Sequence, residues 1–378
     1  MPRSLYLHVP FCPIICPYCD FHKMKRGGGL VEAYLGRLEE EARALHAEFP
    51  TTLDTIYLGG GTPSVLSDEE LARVVGLFEK TWGWPAREET TLEADPLTFD
   101  GARLEAFRAL GVSRLSIGLQ STQDGVLGFL GRRHNGEEGL AAVEMALAAG
   151  FEVSADLITA VPSGGDANPE QDAQGDLHAL AATGVPHVSV YTLTIEENTP
   201  FHRRGVAVDP DREAADYALA GEVLAGYGLR RYEVSSHARP CHESRHNQAY
   251  WRMDHYLALG PSASAFVPGA PPERRVNRGI KGWLAGEAAE RIPVSPQAFA
   301  EDALMAGLRT RLGVDLGELA RRSSFPVLGH YRPLIARLVG EGLLELEGVQ
   351  LRATETGLWQ LDGIVRAFFD HPNPRQPA

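Results

Sequence analysis

Cysteine is scarce in this chain, with four in 378 residues. A disulfide framework disperses an even set of cysteines through a small secreted domain, whereas here Cys12, Cys16 and Cys19 crowd into one stretch and Cys241 stands apart. Clustered thiols in a reducing compartment bind metal. Positive charge is short too: 36 Lys and Arg face 50 Asp and Glu, a formal net charge of −14, so a polyanion is repelled at long range unless a local basic patch overrides the field. Nucleic acid is not an expected partner. Long uncharged apolar runs are missing, and without one no helix spans a bilayer. The apolar run SLYLHVPFCPIIC is broken by His8, Pro10 and Pro13 and is followed by no small-residue cleavage site, so it reads as mature protein. The expectation is a soluble, cytoplasmic protein.

What is present suits a globular interior, with 44% hydrophobic and 23% charged residues. The length suits one large α/β domain with an appendage. Disorder is expected only in the tail, residues 371–378, HPNPRQPA. From residue 4 to about residue 227, a short β-branched or aromatic run, a Gly- or Pro-marked turn and a helical stretch recur six times. The strand candidates are LYLHV (5–9), TIYL (55–58), TTLEA (90–94), RLSIGL (114–119), EVSADLI (152–158) and HVSVYTL (187–193). Parallel neighbours need crossover connections, so the alternation predicts an incomplete parallel (β/α)6 barrel over residues 1–232, two units short of a closed barrel.

Residues 233–296 are rich in Pro, Gly and polar side chains and read as a linker or cover over the barrel. From 297 to 370 helices and a hairpin around Glu347 and Gly348 predict a winged-helix-like α+β module. Residues 295–370 hold 8 Arg or Lys against 10 Asp or Glu, and that balance favours docking over DNA binding.

The cysteines have the spacing C-x3-C-x2-C, just after the first strand. Three thiolates can converge on one metal centre; on a 4Fe-4S cluster they leave one iron without a protein ligand, and an open position marks a reactive site. A structural zinc with His8 or His22 as the fourth ligand is the alternative that spacing alone leaves standing. Gly59, Gly60 and Gly61 end the second strand, where missing side chains let backbone approach a ligand. Glu93, Gln120, Arg132 and Asp156 fall in or just after later strands, as ligand contacts or as members of internal salt bridges.

C-x3-C-x-aromatic-C after strand one, with GGGTP after strand two, resembles the radical S-adenosylmethionine superfamily. The resemblance implies a 4Fe-4S cluster on Cys12, Cys16 and Cys19, its open iron chelated by the amine and carboxylate of S-adenosylmethionine. It also implies contacts to that cofactor from Tyr6, Tyr18, Phe21, Gly60, Gly61, Thr62, Glu93, Gln120, Arg132 and Asp156, with Tyr18 by the adenine and Arg132 pairing the carboxylate.

Over nearly its whole length the chain is similar to the oxygen-independent coproporphyrinogen oxidase-like group, and within it to the haem-chaperone branch. The oxidase adds a fourth cysteine two residues after the third, where this chain has Asp20 and Phe21, and it carries an N-terminal extension where this chain has eleven residues before Cys12. HNQAYW, residues 246–251, resembles the H-N-x-x-Y-W signature of haem-binding members, which implies His246 as axial ligand to haem and Tyr250 and Trp251 as aromatic surface for the macrocycle. A packed core histidine is the competing reading. The implied partners are haem or porphyrin, haem-receiving proteins and an electron donor for the cluster; homodimerisation is left open. The same resemblance admits the oxidase reaction as an alternative, and a zinc-stabilised binding module is a third reading. Two stretches depart from the family: Ala160 to Gly164 replaces its usual GLPGQT, and Ser264 in GPSASAF stands where a histidine is usual. Cys241 reads as incidental.

Overall fold

The computed structural model describes residues 1–27, 29–162 and 171–372; Ser163 and Gly164 of the divergent loop and residues 373–378 of the tail lie outside them. Six parallel strands run in chain order: β1 Ser4–Val9, β2 Thr55–Gly60, β3 Glu89–Ala94, β4 Arg114–Gln120, β5 Glu152–Thr159 and β6 His187–Thr192. Each matches a strand read from the sequence to within two residues. Apolar residues such as Leu58, Leu92, Ile117 and Val153 pack into the core, and the residues between them, Tyr57, Glu93, Ser116 and Ser154 among them, line a cavity inside the barrel. The first crossover helix, α1 Leu30–Glu48, buries Val31, Tyr34, Leu35, Leu38 and Ala42, a single stripe at helical spacing. Asp68–Thr81, α2, starts at a capping box in which the Ser67 hydroxyl accepts from the Glu70 amide and the Glu70 carboxylate accepts from the Ser67 amide. The later barrel helices are α3 Gly101–Ala109, α4 Gly136–Ala148, α5 Ala173–Ala182 and α6 Pro210–Gly226.

Residues 233–296 do more than cover the barrel: they extend its sheet. Arg230–Arg231 (β7) and Ser236–Ala238 (β8) add antiparallel strands beyond β6. At the other edge Tyr256–Leu259 (β9) pairs parallel with β1, Ser4 opposite Tyr256, and Ser264–Val267 (β10), Glu273–Val276 (β11) and Glu290–Pro293 (β12) follow antiparallel. The sheet order is β12-β11-β10-β9-β1-β2-β3-β4-β5-β6-β8-β7. Among the described residues a seventh parallel strand thus joins the expected six, and the sheet remains open between β12 and β7.

The helix α7, Arg245–Trp251, closes the floor. Glu89, the first residue of β3 and only 5% exposed, accepts from Arg114 Nε at 2.9 Å and from the backbone amides of Arg245 and His246 at 3.2 and 3.0 Å. One carboxylate therefore neutralises a buried guanidinium and satisfies the orphan amides of a helix N-terminus.

The C-terminal module follows the winged-helix succession α-β-α-α-β-β: α8 Pro296–Leu308, β13 Val314–Asp315, α9 Leu316–Ser323, α10 Val327–Gly340, β14 Leu344–Glu347 and β15 Gln350–Ala353. It has its own core around Phe299, Leu304, Leu316, Tyr331 and Leu338. Arg322 fixes it to the loop after α7, donating to the Arg252 and Met253 carbonyls at 2.8 and 2.6 Å.

Candidate functional site

The cysteines sit on a loop pinned at both ends. Phe11–Cys12 pairs with Met24–Lys25, and the His22 carbonyl lies 2.8 Å from His8 Nε2. A carbonyl only accepts, so Nε2 carries the proton, and Nδ1 accepts from Tyr6 Oη at 3.0 Å. The same imidazole packs under Gly60, whose φ of +107° suits glycine and whose missing Cβ would lie 2.3 Å from His8 Nδ1. Tyr6 and His8 thus set both the cysteine loop and the glycine turn. His8→Leu is expected to cost about 1–3 kcal/mol through two lost hydrogen bonds, and to reduce the iron retained after anaerobic desalting. His8→Gln, which keeps a donor, should retain more of it. Equal iron in all three proteins would dismiss the pinning role.

The loop, the glycine turn and the ends of β3 to β6 enclose a cavity of about 480 Å³. Cys12, Cys16, Cys19, Tyr18, Phe21, Gly60, Gly61, Thr62, Glu93, Gln120, Arg132 and Asp156 all line it. Tyr6 is not among these lining residues; its hydroxyl lies 3.0 Å from His8 Nδ1 and supports the loop through it. Burial pushes the Cys12 thiol up to about 11, opposed in part by a hydrogen bond with Thr62 and by the charge of Lys23. A thiol in that setting ionises at neutral pH only against a cation. Among the described residues no three His, Cys, Asp or Glu side chains gather tightly enough to hold a single metal ion. The three thiols line one cavity, and on a polynuclear centre each thiolate would reach its own iron. His8, with both nitrogens engaged, is not available as a zinc ligand.

Deeper in the cavity, Glu93 accepts from Tyr57 Oη and from the Gly60 amide, each at 2.9 Å. Burial raises its pKa to about 7, and burial raises Asp156 to about 6 against hydrogen bonds from Ser189 and Ser116. Neither has a cationic partner within hydrogen-bonding reach. Arg132 does have an anionic one: Nη2 donates to Asp95 Oδ2 and to the Gly118 carbonyl, both at 2.8 Å, while Nη1 lies 3.8 Å from Cys16 Sγ and buried Nε is unpaired. Its fork is thus partly engaged by Asp95, a residue passed over in sequence although it lies two positions beyond Glu93 on the same strand end. Gln120, with φ +70°, turns the chain out of β4 at the cavity wall.

Raised carboxyl pKa values have a definite sign. Both groups favour folding most below their unfolded pKa values and cost stability as pH rises through about 6 for Asp156 and about 7 for Glu93. Ligand-free protein is therefore expected to melt a few degrees higher near pH 5 than near pH 8, a difference that Glu93→Gln and Asp156→Asn should shrink. A ligand presenting a cation to this pair should bind more tightly as pH rises through the same window, measured by calorimetric titration.

The structure places His246, the expected haem ligand, in the floor of the barrel. His246 is fully buried in the barrel floor, Nδ1 2.8 Å from Thr55 Oγ1 and Nε2 2.7 Å from Tyr250 Oη, and burial pushes its pKa down to about 3. Both ring nitrogens have a hydrogen-bond partner there, and Tyr250 is the partner of one of them. Trp251 alone of the three lines an open space, a cleft of about 1290 Å³ between α7, the barrel wall and the C-terminal module.

A model of the radical SAM superfamily matches residues 6–174, and the HemN C-terminal domain matches residues 294–359. The heme chaperone HemW of Lactococcus lactis is 31% identical over 97% of this chain and 97% of its own, and that of Synechocystis 35% identical over 84% and 81%. The chain belongs to the radical SAM superfamily, in the HemN-like group that includes the HemW proteins. HemN of Escherichia coli, a coproporphyrinogen III oxidase, superposes with a TM-score of 0.82 over 98% of this chain and 91% of its own, at 21% identity, a likeness of fold. Membership in the radical SAM superfamily implies a 4Fe-4S cluster and S-adenosylmethionine. The cavity fits both: three thiols line it, the Gly60 and Gly61 backbone lies in its wall, and Glu93 and Asp156 lie within with no ion-paired cation among the described residues.

Proposed function

We propose that this chain is a cytoplasmic haem chaperone with a radical SAM core, binding haem and handing it to recipient proteins. The observation that carries the reading is identity with curated haem chaperones along nearly the whole chain, C-terminal module included, together with a cysteine motif that ends at Cys19.

Cys12, Cys16 and Cys19 would hold the cluster. The carboxylates of Glu93 and Asp156 would receive the cationic end of S-adenosylmethionine, and the backbone at Gly60 to Thr62 would lie against it. Arg132 would offer its remaining donors to the cofactor carboxylate while Asp95 orients its plane. The bound cofactors supply one-electron chemistry, and an electron donor is the partner such chemistry needs. No helix among the described residues is long and apolar enough to cross a membrane.

Haemin added to anaerobically reconstituted protein should shift its Soret band and pass to an apo-haemoprotein, with no protoporphyrinogen formed from coproporphyrinogen III and S-adenosylmethionine under reduction. Sustained turnover of coproporphyrinogen III would replace the chaperone reading by the oxidase one.

A further inference from the structure

The floor helix α7 and the cofactor cavity share one strand. Along the inward face of β2, Thr55, Tyr57 and Gly59 follow one another at strand spacing from the barrel floor to the glycine turn. Thr55 Oγ1 lies 2.8 Å from His246 Nδ1, and the Tyr57 ring packs on the His246 imidazole at 5.2 Å and 33°. The Tyr57 hydroxyl reaches into the cavity and donates to Glu93 Oε1 at 2.9 Å. Gly59 makes room for that bond, because a Cβ there would lie 2.7 Å from Tyr57 Cε1 and 2.8 Å from Glu93 Oε1. One tyrosine therefore touches both sites.

We propose that Tyr57 is a positioning residue that couples them: S-adenosylmethionine held at Glu93 keeps His246 closed in the floor, so that the cofactor weakens haem binding and haem weakens cofactor binding; this rests on the haem-chaperone reading, with His246 as the ligand to iron. An imidazole nitrogen ligates iron only through a free lone pair. Here both nitrogens are engaged, Nδ1 by Thr55 and Nε2 by the Tyr250 hydroxyl at 2.7 Å, and His246 has no exposure to solvent. Ligation requires the imidazole to leave this arrangement, and whatever fixes Tyr57 against it raises the cost of leaving.

Glu93 sets how firmly Tyr57 is fixed. With no cation beside it, burial raises its pKa to about 7, so near neutrality the phenol meets a carboxyl that is protonated for much of the time. A sulfonium amino acid presenting its cation to Glu93 and Asp156 keeps the carboxylate ionised, and a hydrogen bond to an ionised acceptor is about twice as strong as one between neutral groups. The ring against His246 is then held in place.

The test uses full-length, cluster-loaded protein titrated with haemin and followed by the Soret band, without and with saturating S-adenosylmethionine. In the unaltered protein the cofactor should weaken haemin binding by about fivefold or more, and haemin should weaken cofactor binding by the same factor in a calorimetric titration, since coupling between two sites is reciprocal. Tyr57→Phe keeps the ring against His246 and removes the bond to Glu93. Its haemin affinity should change by less than about twofold when the cofactor is added at a concentration that calorimetry shows to saturate the variant. Gly59→Ala, which sets a methyl group between Tyr57 and Glu93, should uncouple the sites likewise. Thermal melts and iron content establish that fold and cluster are retained, and a merely structural role for Tyr57 would move both haemin affinities together and leave their ratio alone. Haemin affinity that is unchanged or raised by the cofactor in the unaltered protein, or coupling that survives in Tyr57→Phe, would overturn the proposal with the chaperone reading intact. Absence of haemin binding by the unaltered protein would instead remove the chaperone reading itself.

Discussion

Replacing Cys16 by Ser is expected to leave a folded but colourless protein, its iron falling from about four per chain to less than about one after anaerobic reconstitution. Cys12 and Cys19 should behave alike, since three thiolates are the minimum that holds a cluster with one open iron. All three line the cavity mouth rather than the packed interior around Leu7, Leu58 and Leu92, so the melting temperature of the ligand-free variants should barely move. Separation of the two readouts is the informative feature. Unchanged iron in any one variant would mean that the residue is not a ligand, and a collapse in stability would mean that the loop is structural.

Glu89→Ala should have the largest effect on folding. At 5% exposure its carboxylate accepts from Arg114 Nε and from two amides of α7, and Arg114 Nη2 continues to the His242 carbonyl at 2.8 Å while Nη1 has no partner. Deleting the acid strands a buried guanidinium and uncaps the helix that closes the floor, at a cost of about 3–5 kcal/mol. Urea denaturation measures it directly. Glu89→Gln, which still accepts from the amides but not as an anion, should fall between. Loss of less than about 1 kcal/mol in Glu89→Ala would show that α7 is held by packing alone.

The parallel core was legible in sequence because short strand-like runs alternate with helical stretches, and in RLSIGL and EVSADLI the residues packed into the core, Leu115, Ile117, Leu119, Val153, Ala155 and Leu157, alternate with Ser116, Ser154 and Asp156, which line the cavity. The cysteine loop and the glycine turn were legible because their spacing is itself the chemistry. The seventh parallel strand was not: YLAL has four residues, lies between polar and Pro-Gly segments, and becomes a strand only because the edge of β1 is there to receive it. The hydrogen-bond partners of the site residues were not legible where they are remote in sequence. His246 meets Thr55 across 191 positions, and nothing in HNQAYW says that Thr55 begins the neighbouring strand. Arg132 meets Asp95 across 37 positions, so an arginine read as a free ligand contact is partly engaged by a carboxylate of its own chain. Tyr6 meets His8, two positions further along its own strand, a contact that the strand pattern does not disclose.

Electron paramagnetic resonance of the reduced, anaerobically reconstituted protein, recorded before and after addition of S-adenosylmethionine, tests the central claim most directly. An incompletely ligated iron at Cys12, Cys16 and Cys19 should give a 4Fe-4S signal whose g values change when the cofactor occupies the open position. A protein loaded with zinc and free of sulfide, or a cluster signal indifferent to saturating S-adenosylmethionine, would contradict it.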